Sequence, residues 1–409
     1  MSAVADTPSS RPARTIGASV LSTASGSLPV FLLGGVAVQA RADLGFSEST
    51  LGLSVTLFFA LSAGMSAAAG RVTERIGIRR AMTVTAVLSS TGLLVIAVSP
   101  TWAVLALGLV VGAFGNAFAQ PGANALLSRG IDRSRQGLAF GLKQGSVPLT
   151  SLLGGLAVPV FALTIGWRWA FLAGALSALS LLILIPKDLR QESRPRAGAT
   201  PAGLVPGTKV PLLVLSLGAA FGNMGANSLG IFLVETLVAA GSEEARAGLI
   251  LMGGSFIGMM TRVVLGSWAD RTPRQLFATT AMMLMIGSSG YALLATGSSR
   301  LLPLGVLLSF AAGWGWNGLF AFSVVATNRL APATATGITQ RGLFFGAMAG
   351  PGLFGVLAEI FGYGVAWATV SVLAAGGALA MAIGNRMIVA VMAERQEEER
   401  RRSEESPDE

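Results

Sequence analysis

The 409-residue chain contains no cysteine and no histidine. The first absence excludes disulfides, thiolate nucleophiles and thiolate metal sites. The second excludes imidazole ligands and any histidine proton relay. Charged residues make up only 12% of the chain, too few to cover the surface of a soluble protein of this length. No P-loop is present, so nothing in the sequence points to ATP-driven work, and no enzyme motif stands out. An enzyme is therefore not expected, and neither is a bound cofactor.

Apolar sequence fills the space that charge leaves. Hydrophobic residues make up 52% and mean hydropathy is +0.67. Glycine is abundant, at 53 residues, as where membrane helices pack closely. A bilayer crossing takes roughly 20 apolar residues. Twelve runs approach or exceed that length: 16–39, 49–69, 81–98, 102–127, 137–163, 168–186, 210–239, 246–266, 275–296, 301–326, 335–361 and 364–391. The expected fold is an all-α membrane protein with twelve transmembrane helices in two bundles of six. Residues 1–15 form a polar tail, 16–186 the first bundle, 187–209 a Pro/Gly/Arg-rich linker, 210–392 the second bundle and 393–409 a charged tail.

The net charge of +9 follows topology. Arg71, Arg75, Arg79, Arg80, Arg129, Arg133, Arg135, Arg271 and Arg274 fall in connections on one side, together with the linker. The other side holds only Arg41, Arg168, Arg246 and Arg300. The positive-inside rule puts the richer side, and both termini, in the cytoplasm. The first 15 residues lack an apolar stretch before a cleavage site, so no signal peptide is expected. Basic residues spread over loops do not build a nucleic-acid face, so the expected partners are the bilayer and a small molecule. A monomer in a bacterial cytoplasmic (inner) membrane is the expected state.

The chain also repeats itself. Gly70-Arg-Val-Thr-Glu74-Arg75-Ile-Gly77-Ile-Arg79-Arg80 and Gly266-Ser-Trp-Ala-Asp270-Arg271 each follow an apolar run, 196 positions apart. The same offset aligns Gly34 with Gly230, Gly52 with Gly248, Gln144 with Gln340 and Gly154 with Gly350. A duplicated bundle with one charged loop per copy is a transporter architecture. The two loops resemble the signature of the major facilitator superfamily, with Glu74 where an aspartate is usual and Thr272-Pro273 departing from the second copy. The resemblance covers essentially the whole chain. It implies secondary transport by alternating access, driven by a proton gradient or an exchanged anion. It also implies a conformational latch at Gly70, Glu74, Arg75, Arg79, Gly266, Asp270 and Arg271. The plainer alternative is that these charges only satisfy topology.

Three cations fall inside apolar runs: Lys143, Arg262 and Arg341. A central charge costs about 2.5–3.5 kcal/mol on insertion scales, so each requires a function or a partner. Arg262 lies one turn before Gly266. An arginine at this place resembles that of oxalate/formate exchangers and monocarboxylate carriers of the superfamily, where it binds the substrate carboxylate; bracing the latch is the alternative. Arg341 and Lys143 sit at nearly equivalent heights on the eleventh and fifth spans, with snorkelling to the cytoplasmic surface as the alternative. Few acids offset them: Glu235 and Glu359 lie towards the outer ends of their spans. A positive cavity selects anions.

Asn116, Gln120 and Asn124 recur every four residues and share one face, as do Asn223 and Asn227. With Asn317 and Gln340 they are candidate cavity residues, and interhelical hydrogen bonding is the alternative. Trp314, Trp316 and Phe320 are candidates to shape an apolar part of the pocket or simply to pack. Glu235 is the candidate proton site, opposite Gln39 at the repeat offset. The expected function is transport of a small organic anion, a carboxylate, by proton symport or anion exchange. The alternative is drug efflux by proton antiport. It is weakened by a Gly-Pro motif in the eleventh span instead of the fifth and by the lack of an arginine in the fourth. The halves differ at Gln39/Glu235, Ser66/Arg262, Lys143/Thr339 and Gly145/Arg341, which is where the site is expected.

Overall fold

The structure is a computed structural model that describes residues 12–132, 136–186, 204, 206–269, 276–328 and 331–405. All twelve apolar runs fold as helix. Among the described residues, ten helices are long and apolar enough to cross a membrane by length and composition. The sixth span is the shorter apolar helix Arg168–Leu184, and the apolar stretch Thr334–Glu397 holds the eleventh and twelfth spans. Gly362, at φ 84° and ψ 165°, is non-helical and separates these two helices. The second of them continues to Glu405, through most of the segment expected to be a tail.

Four spans depart from the straight helices expected. The first is Pro12–Gly35 followed by a short helix, Ala37–Leu44. The fifth is Gln136–Gln144 and Ser146–Ala157, broken at Gly145 and closed by a π-helical turn, Val158–Ala162. The tenth is Leu302–Leu308, a π-helical turn Ser309–Trp314, and Trp316–Thr327. The second runs from Glu48 to Ile76, so Gly70, Glu74 and Arg75 lie on helix and not in the loop expected for them. Only Gly77, at φ 86°, turns the chain before the third span begins at Ile78. A left-handed φ favours glycine, which explains this glycine of the motif but not Gly70.

The ion pair and the largest apolar cluster that join the halves lie towards one end. This end carries Arg41, Glu48, Glu235 and Glu244; the opposite end carries Glu74. The largest apolar cluster joins both halves near the Arg41 end, through Phe31, Phe58 and Trp167 of the first and Phe232, Phe310, Phe354 and Trp367 of the second. Three other clusters of described residues stay within single halves: Leu212, Phe277, Trp316 and Phe320 in the second, and Ile78, Met82, Leu126 and Ile185, then Leu127, Ile131 and Ala139, in the first.

The seam repeats at the sequence offset. A Cβ on Gly248 would stand 2.7 Å from the Gly155 carbonyl oxygen, and one on Gly52 would stand 2.3 Å from that of Pro351. Gly52 and Gly248 are equivalent, and so are Gly155 and Pro351. Each half thus presents a bare backbone edge to the other, which allows contact that no side chain would permit. From there towards the Glu74 end the second span leaves its partner. Thr56 still donates to the Met348 carbonyl at 2.7 Å, but Gly64 and Gly70 have no atom within 4 Å of an added Cβ.

Candidate functional site

The broken fifth span carries one of the three interior cations and binds a second through its backbone. Lys143 sits on its first segment and is 3% exposed. Its Nζ donates to Asn124 Oδ1 at 2.8 Å and to Gln120 Oε1 in a still shorter contact. Two of the three residues in the fourth-span polar stripe are therefore lysine ligands. Asn116, one turn further along, packs its side-chain oxygen against Gly26 of the first span.

Arg262 comes from the opposite half. Its Nη1 donates to the Gln144 carbonyl at 3.1 Å, next to Lys143, and its Nη2 to the Trp314 carbonyl at 3.0 Å. Its guanidinium carbon lies 6.0 Å from the Trp314 ring centre, at the outer limit of a cation–π contact. Nε is buried without a partner. Among the described residues, neither Lys143 nor Arg262 faces a carboxylate. The three ion pairs there join Arg41 to Glu48, Arg41 to Glu235 and Arg168 to Asp43, all at the Arg41 end. Amides and carbonyls take part of the hydrogen-bonding capacity of the two interior cations but leave their charge uncompensated.

The remaining candidates scatter. Arg341 is exposed and Gln340 half-buried, and neither is hydrogen-bonded to Lys143 or Arg262. Asn227 donates to the Asn223 carbonyl of its own helix at 2.9 Å, and Asn223 donates to the Leu343 carbonyl at 2.6 Å. The seventh-span stripe therefore uses its amides to hold helices. Asn317 is half-buried. Trp316 and Phe320 pack in the second half, whereas Trp314 packs across halves on Phe31, with ring centres 5.8 Å apart. Glu74, Arg75 and Arg79 are exposed, with no ion pair among the described residues. Asp270 and Arg271 lie outside those residues.

Glu235 is where the sequence reading was least complete. Its side chain is 2% exposed and accepts from Arg41 Nη1 at 2.7 Å. Arg41 Nη2 pairs with Glu48 at 2.7 Å, and Arg41 Nε donates to the Phe46 carbonyl at 3.0 Å. The Tyr363 hydroxyl lies 3.4 Å from Glu48 and 3.5 Å from Glu235. Beside this group Gln39 donates to Glu244 at 2.6 Å, and the Ser49 amide donates to Glu359 at 2.9 Å. The repeat maps Gln39 onto Glu235 and Glu48 onto Glu244. One copy therefore pairs an amide with an acid, and the other places two acids where Arg41 must bridge them. Arg41 looked like an ordinary loop charge, but the offset applied to Glu48 would have exposed the need for it. In the same loop, the hydrogen bond from Arg168 holds the Asp43 carboxyl below its ordinary range.

A profile of the Major Facilitator Superfamily matches residues 16–339. The chain belongs to this superfamily. It is a multi-pass membrane protein of a transporter family, not an enzyme. Two curated relatives, each a "Multidrug resistance protein B homolog" of Mycobacterium tuberculosis (strains CDC 1551 / Oshkosh and ATCC 25618 / H37Rv), are 27% identical over 183 residues. That match covers 43% of this chain and 33% of each relative, so it spans about a third of their length. A bacterial homologue of the human lysosomal transporter Spinster, solved inward-facing and unoccupied, superposes with a TM-score of 0.67 at 18% identity, covering 94% of this chain and 96% of that one. Its inward-facing, occupied form gives 0.66 at 17%, covering 94% and 98%. At such identities the likeness establishes the superfamily fold alone.

Proposed function

We propose that this chain is a secondary active transporter of a small organic anion, most simply a carboxylate, held by Arg262 and Lys143. The observation that carries this reading is the pair of buried cations without an acid among the described residues. Burying an unpaired charge is costly, and a cation kept in that state is normally kept for a counter-ion. Arg262, 119 residues from Lys143 in sequence, binds the carbonyl of the residue that follows that lysine, at the break of one helix. A carboxylate at this junction would neutralise charge from both halves at once. Gln120, Asn124 and Asn116 supply neutral polar groups alongside, and Asn317 and Gln340 complete the candidate set. Arg341, exposed on the eleventh span, is the third cation of this set.

Arg41 joined to Glu235 and Glu48 forms the closed outer gate in this reading, with both termini in the cytoplasm of a bacterial cell. Glu235 is its coupling residue. A proton on Glu235 removes one of the two charges that hold Arg41, and so weakens the outer seal. The motif carrying Glu74 and Arg75 is the inner latch. Anion exchange is the alternative driving force.

A drug-efflux reading is favoured by the names of the curated relatives. It predicts binding of cationic amphiphiles, which the positive site opposes. A thermal-shift screen of the purified protein against carboxylates, amino acids, sugars and cationic dyes separates the two readings, because a ligand of the folded state raises its melting temperature. Stabilisation by carboxylates, lost in Arg262→Gln, is the expected result. Stabilisation by cationic dyes alone would reverse the assignment.

A further inference from the structure

The fifth span breaks where its backbone has carbonyls to spare. In a continuous helix the Gln144 carbonyl would accept the amide hydrogen of residue 148. Residue 148 is proline and has none. The neighbouring Lys143 carbonyl is taken by the Ser146 hydroxyl at 2.6 Å. The Gln144 carbonyl is taken by Arg262 Nη1 from the other half of the protein, at 3.1 Å. Arg262 Nη2 reaches the Trp314 carbonyl, at the last residue of the π-helical turn in the tenth span. Such turns commonly mark working positions in helices. Two helix irregularities, one in each half, therefore converge on a single guanidinium.

We propose that Pro148 is a positioning residue for Arg262: by withholding an amide hydrogen, it presents the Gln144 carbonyl as one arm of a clasp between the two halves. The clasp terminates a line of contacts between the fifth and eighth spans. The line starts at Gly155 against Gly248, passes through Ser255 donating to Ser151 at 3.0 Å, and ends at Arg262. Among the described residues no hydrogen bond joins these two spans nearer the Glu74 end. The clasp sets the orientation of the guanidinium and ties it to the partner half before any ligand arrives. It uses only the contacts of Arg262, so it does not depend on the transported species being an anion.

A mutant cycle read by melting temperature tests it. Pro148→Ala supplies the missing hydrogen. In an Arg262→Gln background, where the Gln144 carbonyl has lost its strongest donor, that hydrogen fills an open acceptor. In the wild type it competes with Arg262. Pro148→Ala should therefore change the melting temperature more favourably in Arg262→Gln than in the wild type. Pro159→Ala, whose carbonyl partner is remote from Arg262, should act equally in both. An equal shift for Pro148→Ala in the two backgrounds overturns the clasp. Should Pro148→Ala fail to fold, Arg262→Gln is tested by itself on a Ser151→Cys/Ser255→Cys pair. Slower oxidative closure of that pair is expected, and an unchanged rate overturns the proposal.

Discussion

Replacing Gly155 by alanine places a methyl carbon 2.5 Å from the Gly248 carbonyl oxygen and 2.6 Å from the Met252 amide nitrogen. Both are backbone atoms and cannot rotate away. Non-bonded carbon contacts settle near 3.5–4.0 Å, so the fifth and eighth spans must part by about 1 Å. Overpacking of this kind costs about 1–3 kcal/mol. The cost is felt only while the halves are closed at the Arg41 end. The equilibrium should therefore move towards opening of that end by about 5- to 150-fold. Gly52→Ala should act in the same way, since its methyl carbon would stand 2.3 Å from the Pro351 carbonyl oxygen. Gly253→Ala and Gly64→Ala are controls, because an added Cβ there has nothing within 4 Å. The cysteine-free chain suits site-specific spin labels. Labels at Thr101→Cys and Glu243→Cys, both exposed, report the distance between the halves at this end. Gly155→Ala and Gly52→Ala should add a longer-distance population that the controls lack. Unchanged distributions, or equal opening in Gly253→Ala, would refute the packing argument.

Glu235→Gln leaves Arg41 with Glu48 alone, so vesicles under an imposed pH gradient should lose proton-driven accumulation while keeping anion exchange; retained accumulation would remove Glu235 from coupling. Gln39→Glu turns the Gln39–Glu244 contact of 2.6 Å into a pair of acids without a bridging arginine. Repulsion grows as both ionise, so the melting temperature of this variant relative to wild type should fall as pH rises above about 4–5. A pH-independent difference would show that the two repeat copies are not electrostatically alike. Lys143→Met removes a buried charge that has no acid partner, so stability should hold or rise. Carboxylate affinity should fall at least about tenfold, or about 1.4 kcal/mol; an unchanged dissociation constant would take Lys143 out of the site.

The twelve helices were legible because their cause is local: apolar length alone decides which segments can cross a bilayer. The seam was legible in part. Gly52/Gly248 and Gly34/Gly230 stood out at the repeat offset, and the structure places each of them on the opposite half. Lys143 and Arg262 stood out because a charge inside an apolar run demands a reason. The link between their segments did not, because it depends on a helix break and on a carbonyl, which carries no sequence signature. Pro148 was visible as an interruption, but not as the cause of a free acceptor 118 residues from its donor. Arg41 was hidden for the opposite reason. It lies among loop residues where charge is ordinary, and its importance comes from two acids distant in sequence. Arg341 satisfied the same rule as Lys143 and yet is exposed. Its helix turns it away from the packed interior, and hydropathy does not record which way a residue faces.

The central claim is that the Arg262–Lys143 junction carries an anion across the membrane. Counterflow of a labelled carboxylate identified by the stabilisation screen, in proteoliposomes of wild type and Arg262→Gln at equal reconstituted amounts, tests it most directly. Saturable uptake by the wild type, competed by other carboxylates, and none by the variant is the expected result. Equal uptake by both proteins, or transport of cationic dyes without carboxylate counterflow, would contradict it.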